Sequence, residues 1–288
     1  GAAAPGVAPG GGGGGGGTTT MMQVRAGSVA LPLTRAHHDK LRELYDRAAA
    51  RGGGGGDFRG ALFSLLLRYD SLGGDGFQAA LNANAFGVLR RRFGVDFECF
   101  ASPLNCRYDR FCSAFADVDA PFGSCGSFFD AFALPPAAAP PEGCYEANPP
   151  FVPALVEAMA RRMNALLTAA DGSRRALGFI VIVPENAAHA LPALTESPFL
   201  RRTLRAENRR HDYCEGAQHK RARLHRAATC DTAVYFLQSA AAAARWPAVD
   251  DACAELLVAL SDARPRAADE PPPPPPPPEA MGVLRTLG

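Results

Sequence analysis

Residues 178–183 read Gly178-Phe179-Ile180-Val181-Ile182-Val183, an uncharged run dominated by β-branched residues. Such a run is of the kind that fills a central parallel strand, where both faces are buried. Residues 232–238 (TAVYFLQ) form a second run of this kind, and residues 95–100 a short β-prone one. Helical periodicity occupies 152–167 and about 250–262. Strand-like runs alternating with helices predict an open α/β sheet.

Upstream of these runs, three helices are predicted. The first runs over about 34–50, with Leu41, Leu44 and Tyr45 at helical spacing and Thr34 as its N-cap, and the glycine run 52–56 ends it. The second covers about 58–69, and the third about 85–93 with Arg90, Arg91 and Arg92. The expected organisation is therefore a disordered Gly/Ala-rich tail over 1–20, a helical segment over 30–93, an α/β domain over 94–264 and a Pro-rich tail over 265–288. The polyproline run 271–278 is expected to form an extended, solvated spacer. No internal repeat is visible.

Composition excludes several classes. The 288 residues carry 30 Lys and Arg against 29 Asp and Glu, a formal net charge of +1, which gives no global pull toward nucleic acid or membrane. The longest strongly apolar stretch, 176–184, falls far short of the roughly 20 residues a spanning helix needs. No secretory signal opens the chain, and its first residue is Gly, so a fragment or a processed chain is expected. Eight cysteines, none in a C-x-x-C pair, read as reduced thiols of a cytosolic or nuclear protein.

The sharpest motif is Asn148-Pro149-Pro150-Phe151, set between a short β-prone run and a helix. Ligands of doubly wound sheets bind at that kind of place, beyond the carboxyl end of a strand. Methyl transfer to an exocyclic base amine needs this set of groups. The amine's lone pair is delocalised into the ring and must be drawn toward tetrahedral geometry before it attacks. An Asn side-chain oxygen and a backbone carbonyl can accept its two N–H bonds and do so. Two prolines donate no N–H and stiffen the loop, and a Phe ring can stack on the extruded base. What remains is to place that nitrogen in line with a sulfonium methyl. Against this stands the plainer reading of a proline-rich chain, which also has Pro-Pro pairs at 135–136 and 140–141.

Around this motif the chain resembles the cap-specific adenosine N6-methyltransferase family. The resemblance is carried by residues 92–106, 111–115, 122–124, 146–151, 179–185, 216–219, 232–234 and 236–238, and it spans about 35–247. It implies a Rossmann-like class I methyltransferase sheet with S-adenosylmethionine as methyl donor and no metal. The implied reaction is N6-methylation of 2′-O-methyladenosine next to the cap of mRNA, in the nucleus. Carried over, Asn148 and Pro149 would hold the N6 amine, with Pro150 stiffening the loop and Phe151 stacking on the ring. Glu98, Ala101, Ser102, Pro103 and Asn105 stand where related enzymes cradle the donor, and Asp130 where its adenosine is bound. Glu185 is the candidate substrate contact at the end of the 178–183 strand.

The chain also departs from that family. Its animal members bind the phosphorylated C-terminal domain of RNA polymerase II through a WW domain, which needs two tryptophans; this chain has one, Trp246. The upstream helical region is short, and Asn186 stands where an aromatic residue is usual, so cap-stacking is not carried over. Residues 201–226 hold nine Lys and Arg against three Asp and Glu, which reads either as an RNA-phosphate footprint including Arg221, Arg223 and Arg226, or as a solvated face. His211, Cys214, His219 and His225 have a spacing that superficially suits zinc, but no metal is expected. His37 and His38 are expected to be structural. The alternatives to cap methylation are N6-adenine methylation of other RNA or DNA, and a catalytically silent RNA-binding module.

Overall fold

The computed structural model describes residues 6–9 (backbone), 20–53, 56–73, 79–133, 139–185, 191–216, 218–220 and 225–261. In chain order the elements open with β1 (Gly6–Pro9), β2 (Met21–Ala26), β3 (Val29–Thr34), α1 (Arg35–Ala50), α2 (Phe58–Ser71) and α3 (Ala83–Phe93). There follow β4 (Val95–Glu98), α4 (Ala116–Asp119), α5 (Phe128–Ala131), β5 (Gly143–Ala147), α6 (Pro153–Gly172) and β6 (Leu177–Glu185). The chain continues with α7 (Pro192–Thr195), β7 (Leu200–Ala206), β8 (Asp212–Cys214), β9 (His225–Ala227), β10 (Asp231–Gln238), α8 (Ala240–Arg245) and α9 (Asp250–Ser261). These form two units. Among the described residues no helix is long and apolar enough to cross a membrane.

The sheet unit comprises residues 81–100, 128–214 and 225 onward. Its five strands lie in the order β4-β5-β6-β10-β7, with β6 at the centre. The apolar run does what its composition requires, since residues 177 to 183 are all buried. β4, β5 and β6 are mutually parallel, and α6 makes the crossover between β5 and β6. The second apolar run, β10, is also central but runs antiparallel to both β6 and β7, not parallel as its composition suggested. Among the described residues, the connection from β7 to β10 holds the small β8–β9 hairpin and one short 3-10 turn, Gln218–Lys220, and no long helix that would carry the chain back across the sheet, so β10 starts at the edge where β6 and β7 end.

The helix α3, expected in the N-terminal segment, belongs to this unit. Arg91 and Arg92 reach Glu255 of α9 at 2.7 and 3.5 Å, and Arg92 also pairs with Asp251. Gly94 ends α3 in the left-handed region at φ 68°, and a Cβ there would lie 2.5 Å from Trp246 Nε1. Only glycine meets both demands.

The other unit comprises residues 1–80, 101–127 and 215–224, so the expected boundary at 93/94 is not where the chain divides. It is not purely helical. β2 and β3 form a hairpin closed by Gly27 at φ 57°, and β1 pairs with β2, which places strand structure inside the first twenty residues. Residues 1–5 and 10–19 of that expected tail, and the whole of 265–288, lie outside the described residues. Thr34 caps α1 as expected, its Oγ1 accepting from His37 N at 3.3 Å, and Asp57 caps α2 through Arg59 N and Gly60 N. His37 is structural: Thr34 Oγ1 lies 2.9 Å from its Nδ1, and burial lowers its pKa to about 4. Val24, Leu33, Leu41, Leu62, Leu65, Phe111 and Phe122 lie in the core of this unit. Beside it lies a fully buried carboxylate, Asp119, whose Oδ2 accepts from Tyr69 Oη at 2.8 Å and Phe115 N at 3.3 Å, while its Oδ1 is buried with no hydrogen-bond partner.

Candidate active site

Parallel pairing puts the carboxyl ends of β4 and β5 at one edge of the sheet. Glu98 closes β4 and lies opposite Glu146 in the register, and Cys99 N donates to Glu146 O at 2.8 Å. One residue after Glu146, β5 ends at Ala147, and Asn148-Pro149-Pro150-Phe151 follows in irregular conformation. α6 starts at Pro153 without a side-chain cap, so the proline's fixed φ and absent N–H suit the first turn. Pro149 is buried and Asn148 half-buried, whereas Phe151 is 49% exposed, with Val152 at 53% beside it. An exposed aromatic ring at a strand's carboxyl end leaves a face free to stack on a planar ligand.

Beneath this loop the two glutamates are each only 2% exposed. Burial pushes the Glu146 carboxyl well above the usual carboxylate range, and the neighbouring Glu98 adds to the rise. Glu146 Oε1 is buried with no hydrogen-bond partner. An acid pair with an orphaned buried oxygen fits a cationic group, and S-adenosylmethionine carries both a sulfonium and an α-ammonium. Within the sheet unit the residues present thus fit the expected donor.

The other expected donor residues are distributed differently. Asp130 is exposed on the single-turn α5. That helix is fixed by ring contacts of Phe128 with Phe100 (5.2 Å) and of Phe132 with Phe97 (5.9 Å), so it lies beside β4. Ala101, Ser102, Pro103 and Asn105 belong to the other unit. There Asn105 Oδ1 accepts from Ser102 N at 2.7 Å and lies 3.0 Å from Ser102 Oγ, and Ala101 N donates to Cys112 O. Ser102 and Pro103 are buried. These contacts close the turn on itself.

Glu185 ends β6 exposed, and Arg205 Nε holds its carboxylate at 2.8 Å; the same guanidinium pairs with Asp231. Among the described residues, four cations of the basic stretch 201–226 are ion-paired. Arg202 pairs with Asp250, Arg205 with Glu185 and Asp231, Arg210 with Glu207, and Lys220 with Asp70, while Arg201 Nε donates to Gln238 O. Three of these, Arg202, Arg205 and Lys220, are met by carboxylates from outside the stretch. Arg226 is exposed on β9; Arg221, Arg223 and Asn186 lie outside the described residues.

Two histidines of this stretch have partners of their own. His211 Nδ1 donates to Glu207 O at 2.8 Å, so its Nε2, 2.8 Å from Thr232 Oγ1, accepts the threonine hydroxyl proton. Tyr213 Oη, 2.7 Å from the same oxygen, is then the donor. Burial lowers the His211 pKa, in keeping with this neutral form. Cys214 Sγ lies 3.7 Å from His225 Nδ1 across the hairpin. Among the described residues no group of three or more His, Cys, Asp or Glu is placed to hold a metal. Sequence reasoning quoted Glu146 only as part of a match and missed its pairing; an acid inside the β-prone run Gly143–Ala147 was the available signal.

A mixed sheet flanked by helices, with an Asn-Pro-Pro-Phe loop and an acid pair at the carboxyl ends of adjacent parallel strands, is an α/β domain whose fold is consistent with that of methyltransferases. The family model described as "Phosphorylated CTD interacting factor 1 WW domain" matches residues 40–216. The chain is also 36% identical over 247 residues to the mRNA (2'-O-methyladenosine-N(6)-)-methyltransferases of Mus musculus and Homo sapiens, an alignment that covers 82% of this chain and 34% of each relative. The chain belongs to the phosphorylated CTD interacting factor 1 family. It spans about a third of the length of these curated relatives. The matched residues include no tryptophan, because Trp246 lies beyond them and packs on Gly94, with the Arg245 guanidinium 4.7 Å from its ring centre.

Proposed function

We propose that this chain is an S-adenosylmethionine-dependent N6-adenosine methyltransferase whose substrate is the 2′-O-methyladenosine beside the cap of mRNA. The observation that carries this reading is the Asn148–Phe151 loop at the carboxyl end of β5, in a chain 36% identical to relatives named for that reaction. S-adenosylmethionine supplies an electrophilic methyl group when bound. Asn148 Oδ1 and the Pro149 carbonyl would accept hydrogen bonds from the two N6–H groups and so turn the lone pair toward the methyl group; after transfer one N6 proton leaves to solvent. Pro150 stiffens the loop, and Phe151 covers the base and excludes water from the reacting nitrogen. Glu98 and Asp130 face the donor in this reading. Ala101, Ser102, Pro103 and Asn105 keep the donor role that the resemblance gives them, as does Glu185 its substrate role.

With Arg202, Arg205 and Lys220 already held by carboxylates, a phosphate grip from this stretch falls to its remaining cations, Arg221, Arg223 and Arg226 among them, and identifies no base by itself. Binding to the phosphorylated polymerase tail is not placed on these residues, which hold one tryptophan where a WW domain needs two. A nuclear setting rests on the resemblance alone. The test is transfer of labelled methyl from S-adenosylmethionine to RNA that starts with 2′-O-methyladenosine, capped against uncapped. Labelling only of capped RNA supports the proposal. Equal labelling of both points to general N6-adenine methylation, and no labelling of either to a silent RNA-binding module.

A further inference from the structure

Glu98 and Glu146 are register partners on adjacent parallel strands, which run about 4.8 Å apart, and both are withdrawn from water. Two full negative charges on paired positions of neighbouring strands, withdrawn from solvent, repel strongly. Burial and Glu98 act in the same direction on Glu146, and its Oε1 has no partner. Among the described residues, Tyr213 on β8 interacts electrostatically with Glu146, and Cys144 stands two residues back on the same face of β5. Burial pushes the Cys144 thiol up to about 12 and raises the Tyr213 phenol, so both keep their protons across neutral pH. Asp96 on β4 adds a further negative charge near Cys144. β6 offers Glu146 the apolar Ile180 as its register partner. The pair is therefore the titrating unit of this edge, one residue before the loop proposed to hold the substrate amine.

We infer that Glu98 and Glu146 share one proton in the unliganded protein and release it when a cationic group of the methyl donor settles against them, so that donor binding and proton release are one event. This rests on the proposed methyltransferase reading and goes beyond it, because Glu146 there becomes a donor-sensing and positioning residue. The balance is simple: the carboxylic O–H bond breaks, the proton leaves to solvent, and the cation replaces its charge. The unliganded pair holds its proton to higher pH than the liganded pair. Affinity then rises with pH by up to about tenfold per unit until the unliganded pair ionises, and levels off above that point.

The test uses the whole chain and two probes, S-adenosylmethionine and S-adenosylhomocysteine, titrated calorimetrically in buffers of different ionisation enthalpy between pH 6 and 8.5. The expected result is a proton count approaching one released per probe bound on the acid side, falling toward zero as pH rises. Both probes carry the ammonium; release with S-adenosylmethionine alone assigns the contact to the sulfonium and supports the inference equally. Glu146→Gln, checked by circular dichroism and melting, should bind with an affinity independent of pH and release no proton. Should that variant not fold, the wild-type proton count decides by itself. Binding with no proton released at any pH overturns the acid pair and leaves the methyltransferase reading standing. Failure of the folded chain to bind either probe overturns both.

Discussion

Replacing Asp119 by Asn should stabilise the protein at neutral pH and remove part of its pH dependence. Burial raises the Asp119 pKa from 3.8 to about 6 against the hydrogen bonds from Tyr69 and Phe115 that lower it, with Asp117 adding a further rise. The folded state thus holds this proton more tightly than the unfolded chain. Its contribution is fully present below the unfolded value of 3.8 and is lost as pH rises through the folded value near 6. At 1.36 kcal/mol per pKa unit, roughly two units amount to about 3 kcal/mol lost between those limits. Asn carries no charge, and its Oδ1 can accept the same two bonds from Tyr69 Oη and Phe115 N. Its amide nitrogen would sit where Oδ1 already lacks a partner. The gain at pH 7.5 should therefore be about 1–3 kcal/mol, shrinking toward zero or below by pH 4. Ion-paired carboxylates such as Asp117 and Asp231 titrate in the opposite sense, so the quantity to measure is the difference between variant and wild type. Urea unfolding followed by circular dichroism at pH 4 to 7.5 gives that difference. A variant less stable at pH 7.5, with a difference flat in pH, would refute the argument and show that the hydrogen bonds hold Asp119 ionised.

Asn148→Ala should lower methyl-transfer turnover by about 100-fold or more, the scale of one lost transition-state hydrogen bond, with donor affinity in calorimetry little changed. Gly94→Ala forces a Cβ against Trp246 at a positive φ and should cost about 1–3 kcal/mol in denaturant unfolding. Replacing Arg221, Arg223 and Arg226 by Ala together should weaken capped and uncapped RNA by similar factors and flatten the salt dependence, read by filter binding across ionic strength. Loss of the preference for capped RNA alone would instead place cap recognition in that stretch.

Much of the sheet was legible because burial on both faces leaves a plain trace: the 178–183 run could hardly be anything but a central strand. Direction left no trace, and β10 has the same apolar signature although it runs antiparallel. The β2–β3 hairpin was missed although Met22 and Val24 alternate with less buried neighbours, because Pro32 argues against a strand. The proline is accommodated because β3 is an edge strand. The Asn148–Phe151 loop was found by chemistry and context together. The Glu98–Glu146 pair was not, since 47 intervening residues separate two acids that only strand register unites. The pairing of the basic stretch was illegible for the same reason, because counting charge along the chain leaves out Asp70, Glu185, Asp231 and Asp250, which arrive from elsewhere.

The chain's single tryptophan sits against Gly94 in the sheet unit, half-buried, with its backbone carbonyl accepting from Gln238 Nε2 at 2.7 Å. Indole emission therefore reads the loosening of that unit alone, with no signal from the unit that contains Asp119. A fluorescence transition that stays in place while the circular dichroism transition of Asp119→Asn moves would resolve two separately melting bodies, whereas a shared midpoint would mark one cooperative block. The native protein thus carries its own optical probe of how far the melting of one unit drags the other, and no dye or added label is needed to use it.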